Sequence, residues 1–247
     1  MHSATAAPAG ASTRAPQAAE TLETLETPKS TSNLHVLPQT RLLRTLHTVV
    51  RDRTAAPADF TAGSRRIIRL LLDAALDLLP CRPRDVVTPV GQTYQGLDPA
   101  YRLCGVSVVR AGESMEAELR ELYPGVPIGK ILIQRDRETK LPHLLYHCLP
   151  PDVAERHVLL FEPMLATGGS LLEALDVLVE AGVAPRNIVV VNLLASPRGL
   201  ERVGTAHPEV AIVTSSVERG LNENAFMLPG IGDFGDRFFG TDARVAP

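Results

Sequence analysis

The residues best able to do chemistry gather around one stretch, His157-Val-Leu-Leu-Phe-Glu-Pro-Met-Leu-Ala-Thr-Gly-Gly-Ser170. Val158–Phe161 is a continuous apolar run, the pattern of a strand buried on both faces. Glu162-Pro163 ends it, because proline cannot donate to a ladder. Ala166-Thr-Gly-Gly-Ser170 is then a small-residue loop, and Ser170 is placed to cap the periodic helix behind it. A strand, an acid, a glycine loop and a helix N-terminus together make an anion site, since free N–H groups and the helix dipole both favour a phosphate. Thr167 and Ser170 add hydroxyl donors. The spacing is neither that of a Walker A loop nor G-x-G-x-x-G. A tight strand-to-helix connection would also need small residues. Glu162 favours the ligand-binding reading, because a ribose phosphate presents hydroxyls for a carboxylate to accept from.

Three other segments carry candidate groups. Arg110-Ala-Gly-Glu113 follows an apolar run, and its successive N–H groups can form an anion-binding nest beside the Arg110 charge. Gln134-Arg-Asp-Arg-Glu-Thr-Lys140 is charged and non-periodic, either an exposed hairpin tip or a mobile lid offering arginines to a polyphosphate. Pro229-Gly-Ile-Gly-Asp-Phe-Gly-Asp-Arg237 holds three glycines and two aspartates, so backbone groups there can approach a flat ligand closely.

The elements that must position these groups follow from periodicity. From Cys104 onward, strand, turn and helix alternate, which implies a mostly parallel, doubly wound α/β sheet. Strands are expected at Cys104–Val109, Ile128–Gln134, His157–Phe161, Asn187–Leu194 and Val210–Thr214. Helices are expected at Glu113–Tyr123, Ser170–Ala181 and Pro197–Ala206. Ligands of such sheets sit at the carboxyl ends of the strands, where the candidate groups fall. Upstream, Leu37–Val50 reads as an amphipathic helix, and Pro57–Leu79 as a longer one capped by Asp59. Arg65, Arg66 and Arg69 lie on or beside its stripe, as a solvated face or as an anionic-effector or subunit contact. Val86–Tyr94 reads as a hairpin turning at Pro89-Val-Gly91.

At 247 residues and 45% hydrophobic, the chain can bury one full core with a tail attached. Residues 1–33 are low in complexity and are expected to be disordered, leaving 34–247 as the domain. Their acids and lack of an apolar core argue against a signal or transit peptide. A net charge of −3 gives no global basic field for nucleic acid or an acidic membrane surface. No apolar run is long enough to span a bilayer. Cys81, Cys104 and Cys148 make no Cys-x-x-Cys, and two of them sit in apolar runs, which favours buried, reduced thiols of a cytoplasmic protein. His143 and His147 are expected on a strand, roughly 13 Å apart and unable to share a metal.

Taken together, Cys104–Glu116, Gly129–Asp136, Glu162–Ser170 and Pro229–Thr241 resemble uracil phosphoribosyltransferase, closest to its eukaryotic, protist-like branch. The resemblance covers about residues 34 to 242. It implies a type I phosphoribosyltransferase sheet with an N-terminal helical arm and a small C-terminal base-binding hood. It also implies transfer of the phosphoribosyl group of 5-phosphoribosyl 1-diphosphate (PRPP) to uracil with Mg2+, giving UMP and diphosphate in pyrimidine salvage. By position, Arg110 and Arg135 match the diphosphate arginines, and Glu162, Pro163, Met164, Leu165, Ala166, Thr167, Gly168, Gly169 and Ser170 match the ribose-phosphate loop. Met227, Gly232 and Phe234 match the uracil pocket, while Asp233 matches the acid near the base, the ribose diphosphate and the metal. The metal is expected to ride mainly on the PRPP diphosphate. Arg65 and Arg66 become a candidate GTP site, and a homodimer or homotetramer is expected, with no nucleic-acid or membrane partner. The family's phosphate loop usually opens with Asp, where this chain has Glu162. A member that binds nucleotides without turnover, or one serving another base, is the alternative. Arg110, Arg135, Asp233 and the intact glycine loops favour turnover.

Overall fold

In a computed structural model of the chain, the described residues are 33–135 and 142–241. The elements begin with β1 (Leu34–Val36), α1 (Arg41–Arg51) and α2 (Pro57–Leu76), then a hairpin of β2 (Cys81–Val87) and β3 (Thr93–Pro99). Next come β4 (Leu103–Val109), a 3-10 turn at Ala111–Met115, α3 (Glu116–Leu122), β5 (Ile128–Arg135) and β6 (Pro142–Cys148). The second half holds β7 (His157–Phe161), β8 (Met164–Leu165), α4 (Gly169–Glu180), β9 (Ile188–Ala195), α5 (Pro197–Ala206) and β10 (Ala211–Val217). A hood of β11 (Gly220–Leu221), β12 (Met227–Leu228) and α6 (Phe234–Phe239) completes it.

The main sheet runs β1-β10-β9-β7-β4-β5-β6, with every pairing parallel except the antiparallel edge strand β6. Alternation along the strands sorts their side chains to two faces. Leu159, Phe161, Val189 and Val191 pack with α1 and α2, while Val158, Leu160, Ile188 and Val190 pack with α4 and α5. The sheet is therefore doubly wound, as the alternation of elements predicts. The order reverses between β4 and β7, which makes their carboxyl ends the switch point where ligands bind in such sheets.

Several local expectations are corrected. The first helix starts at Arg41, where the Thr40 hydroxyl accepts from Leu43 N at 3.1 Å, and Leu34–Val36 upstream is a strand on β10. Three residues are too few to show a period. Asp59 lies inside the first turn of α2, whose N-cap is Ala56 with Pro57 at N1. The helix stops at Leu76, leaving Leu78 exposed. The hairpin is longer than Val86–Tyr94, pairing Cys81 with Pro99 through to Val87 with Thr93. Glu113–Tyr123 divides into the 3-10 turn and α3. Cys104 is buried, and burial pushes its thiol up to about 12, but Cys81 and Cys148 are exposed strand residues. His143 and His147 lie on β6 as expected. The proposed tail lies outside the described residues except Asn33, whose carbonyl accepts from Ile212 N at 2.9 Å. Among the described residues no helix is long and apolar enough to cross a membrane.

Candidate active site

At the switch point the ends of β4 and β7 meet the hood around a cavity of about 330 Å3. Arg110 and Ala111 come from the turn after β4, and Glu162, Met164 and Ala166 from the loop after β7. Phe226, Met227 and Gly230–Gly235 come from the hood. Gly112 lets the first two segments touch, because a Cβ there would lie 2.3 Å from the Phe161 carbonyl oxygen.

The turn after β4 is held from below. Lys130 on β5 pairs with Glu113 at 2.6 Å and with Glu116, which also accepts from Ser107 Oγ at 2.7 Å. Burial pulls the Lys130 ammonium down, but its hydrogen bonds to Glu113 and Glu116 outweigh it and hold the group above its ordinary range. Arg110 itself reaches across to the hood. Its Nη2 lies 2.6 Å from Asp236 Oδ1, its Nη1 donates to Thr241 Oγ1 at 2.8 Å, and its guanidinium stands 5.7 Å from the Phe239 ring centre. Arg110 thus ties the β4 turn to α6 while bordering the cavity. Arg135 is the last residue of β5, and its side chain and the expected lid at 136–140 lie outside the described residues.

The loop after β7 is anchored by its backbone. Glu162 N donates to Val191 O at 3.2 Å, and Asn192 Nδ2 donates to Glu162 O at 2.8 Å, leaving the carboxylate half-buried on the cavity wall. Pro163 and Leu165 turn inward. The Pro163 carbonyl accepts from Leu193 N and Leu194 N, and the Leu165 side chain is buried against α5, so neither side chain is offered to a ligand. Ser196, the N-cap of α5, donates from its backbone to Leu165 O at 2.8 Å. Ala166 through Ser170 lead into α4, whose N-cap is Gly168 at φ +79, not Ser170. A left-handed cap favours glycine, so the hydroxyl of Ser170 belongs to the first turn of the helix. The first N–H groups of α4 lack helical partners by construction and point at this end of the sheet.

In the hood, Met227 is buried and borders the cavity, and Gly232 sits at φ +76. Phe234 contributes backbone. Its ring is buried between Phe60 and Phe238, with centroids 5.8 and 5.4 Å away, and it opens α6, where an N–H has no helical partner. Asp233 caps that helix, its Oδ1 accepting from Asp236 N at 2.9 Å. The structure therefore brings Arg110, Glu162, Met164, Ala166, Met227, Gly232, Asp233 and Phe234 onto one cavity and sets Thr167–Ser170 beside it.

Arg65 and Arg66 lie elsewhere, on α2. Arg65 and Arg69 both pair with the buried Glu118 and with Glu121 on or beside α3, while Arg66 is exposed. Sequence reasoning misses Asn192, Ser196 and Lys130. Asn192 and Ser196 carried a signal, as polar residues in or beside the buried apolar run Ile188–Ala195.

The profile of the uracil phosphoribosyltransferase family matches residues 36–241. The chain belongs to that family. It is 49% identical over 207 residues to the uracil phosphoribosyltransferase of Saccharomyces cerevisiae, covering 84% of this chain and 96% of that one. It is 50% identical over 210 residues to the uracil phosphoribosyltransferase of Dictyostelium discoideum, covering 85% and 97%. Among solved structures, the AQ2163 protein from Aquifex aeolicus superposes with a TM-score of 0.74 at 26% identity, covering 85% of this chain and 99% of that one. Every segment lining the cavity lies inside the span that the family profile matches.

Proposed function

We propose that this chain transfers the phosphoribosyl group of PRPP to uracil, giving UMP and diphosphate in pyrimidine salvage. The observation that carries this reading is one cavity walled by an arginine turn, an acidic glycine loop and a glycine-rich hood at the switch point of the sheet. The 5′-phosphate is assigned to the Ala166–Ser170 loop and the N-terminus of α4, and the ribose hydroxyls to Glu162. Its extra methylene over aspartate lengthens the reach and keeps the charge. The diphosphate is assigned to the N–H groups of the Ala111–Gly112 turn with Arg110 and Arg135.

Uracil presents acceptor, donor and acceptor at O2, N3–H and O4. Within Gly230–Gly235, the Gly232 C=O and the Phe234 N–H complement that edge without side chains. In the reaction the C1′–O bond to diphosphate breaks with its electron pair going to diphosphate, the N1–C1′ bond forms, and the N1 proton is released to water. The ribose passes through an oxocarbenium-like state, so catalysis rests on positioning N1 over C1′ and stabilising the leaving charge. Mg2+ carried on the diphosphate supplies further charge neutralisation. The residues present fit such an ion, since the cavity offers a carboxylate at Asp233 and Mg2+ commonly uses one or two carboxylates plus substrate phosphates. Asp233 is the carboxylate assigned to it, with one oxygen engaged in capping α6.

A homo-oligomer, GTP as effector and a cytoplasmic site of action complete the reading. The β2–β3 hairpin supports the first, exposing Val87, Val90 and Leu97 for a second copy. For GTP, Arg65 and Arg66 are both exposed on α2, with Arg65 also paired to Glu118. The test is incubation with uracil, PRPP and Mg2+, which should yield UMP and diphosphate in equal amounts. Absence of UMP at any PRPP concentration would overturn the assignment.

A further inference from the structure

Behind the hood, away from the cavity lining, lies a charged pair with a buried carboxylate that the reaction does not need as chemistry. Glu218 follows β10 directly, and its side chain is 1% exposed. Its Oε1 lies 2.6 Å from Arg51 Nη2 and its Oε2 lies 3.0 Å from Arg51 Nη1. The same Oε2 accepts from Gly230 N at 2.7 Å, while Arg51 Nη1 donates to Gly230 O at 3.2 Å. One ion pair thus satisfies both polar backbone groups of the residue that opens the glycine-rich segment. Burial alone would push the Glu218 carboxyl up, but hydrogen bonds from Arg51 and Gly230 outweigh it and hold it below its ordinary range.

Gly230 has little freedom of its own. It sits at φ +67, and a Cβ would lie 2.2 Å from Met227 O. A second arginine repeats the arrangement further along. Arg237 Nη1 donates to Ile231 O and to Val50 O, both at 2.7 Å, and its Nη2 donates to Asp52 O at 2.8 Å. Its guanidinium lies 4.0 Å from the Phe60 ring centre. Both staples fasten the hood to one place, the C-terminal end of α1. A pocket that reads its ligand by backbone has no side chain to rotate into place, so its selectivity depends on where the backbone is aimed. A bidentate Arg–carboxylate pair on a buried carboxylate is a strong local device for fixing that aim.

We infer that Arg51 and Glu218 are positioning residues for base recognition, holding Gly230 so that Gly232–Phe234 presents its backbone to the base. The inference rests on reading Gly230–Gly235 as the base segment. It separates this pair from an ordinary structural brace, which would lower stability without choosing between the two substrates.

The experiment uses the full chain carrying Glu218→Gln, with Arg51→Lys as the variant to measure should the first not fold. Glutamine keeps the size and an acceptor for Gly230 N but loses the charge, and lysine keeps the charge but loses the fork. Either should raise the KM for uracil about ten- to a hundred-fold, the span expected for hydrogen bonds to a charged group, with the KM for PRPP changed about twofold or less. In the ligand-free protein, amide hydrogen exchange across 228–234 should quicken by about tenfold or more, while the strands of the main sheet stay protected. Unchanged KM values with only a lowered melting temperature would overturn the inference and leave a brace. Equal rises in both KM values would also overturn it, as would unchanged exchange across 228–234. A wild type that makes no UMP would defeat the functional reading, and the exchange measurement would still decide whether the pair holds the loop.

Discussion

Gly112→Ala tests the geometry of the cavity through a single methyl group. The added Cβ would stand 2.3 Å from the Phe161 carbonyl oxygen, about 1 Å short of an ordinary contact. Neither side can yield cheaply. Phe161 is the last residue of β7 and is paired in register with both Ser107 and Val191. The turn carrying Gly112 is pinned by Lys130 through Glu113 and Glu116. The two backbones must therefore separate, which moves the Arg110–Gly112 turn, assigned above to the diphosphate, away from Glu162. A displacement of about 1 Å between reacting groups can cost about a hundredfold in rate, and overpacking of this kind typically costs about 1–3 kcal/mol in stability. The assay is UMP formation with PRPP varied at saturating uracil, beside a thermal melt of the same preparation. kcat/KM for PRPP should fall about a hundredfold while the KM for uracil stays nearly constant. If kcat/KM for PRPP remains within about threefold of wild type, close packing of the turn on β7 is not what sets the site.

Two further outcomes follow from buried side chains. Phe234→Ala should destabilise the fold by about 3–5 kcal/mol, as expected for emptying a buried aromatic site. It should nevertheless keep the preference for uracil over cytosine, because the backbone N–H survives; a preference lost in this variant alone would assign the reading to the ring. His47 is buried and, through burial first and then the Arg51 charge, is pushed down from about 6.5 to about 4, with Glu218 acting the other way. Ser215 Oγ donates to Leu193 O, so His47 Nε2 donates to Ser215, and it is burial with the Arg51 charge that favours the neutral ring. Its folded value is depressed, so its contribution is present above pH 6.5 and lost as pH falls through about 4. That span amounts to about 3 kcal/mol. Urea melts at pH 7 and pH 4 should show wild type losing about that much more than His47→Gln, and parallel losses would refute it.

The sequence carried the sheet because its strands are long apolar runs and its helices strongly periodic. Val158–Phe161 and Ile188–Ala195 could hardly be anything but buried strands. It could not carry β1, where three residues show no period, and it misplaced the cap of α4. Ser170 is the usual type for a cap, but a left-handed turn at Gly168 starts the helix earlier. The segments of the site were legible because glycines, prolines and charges interrupt apolar runs at strand ends. The supports were not. Glu218 and Arg51 stand 167 residues apart in sequence, and nothing local marks either as a partner of Gly230. Arg110 shows the same limit from the other side: its type suggested a diphosphate ligand, but only the fold shows that it also braces α6 through Asp236.

A hood that reads uracil by its backbone must show it in base selectivity. Cytosine places a lone pair at N3 against a carbonyl and an amino group against an N–H, and sites built on hydrogen bonds reject such mismatches by about 10⁴-fold or more. 5-Fluorouracil keeps the whole hydrogen-bonding edge of uracil and adds little volume. With PRPP saturating, kcat/KM for 5-fluorouracil should lie within about tenfold of that for uracil, and cytosine should fall about 10⁴-fold or more below both. Cytosine turning over within about tenfold of uracil would contradict the account.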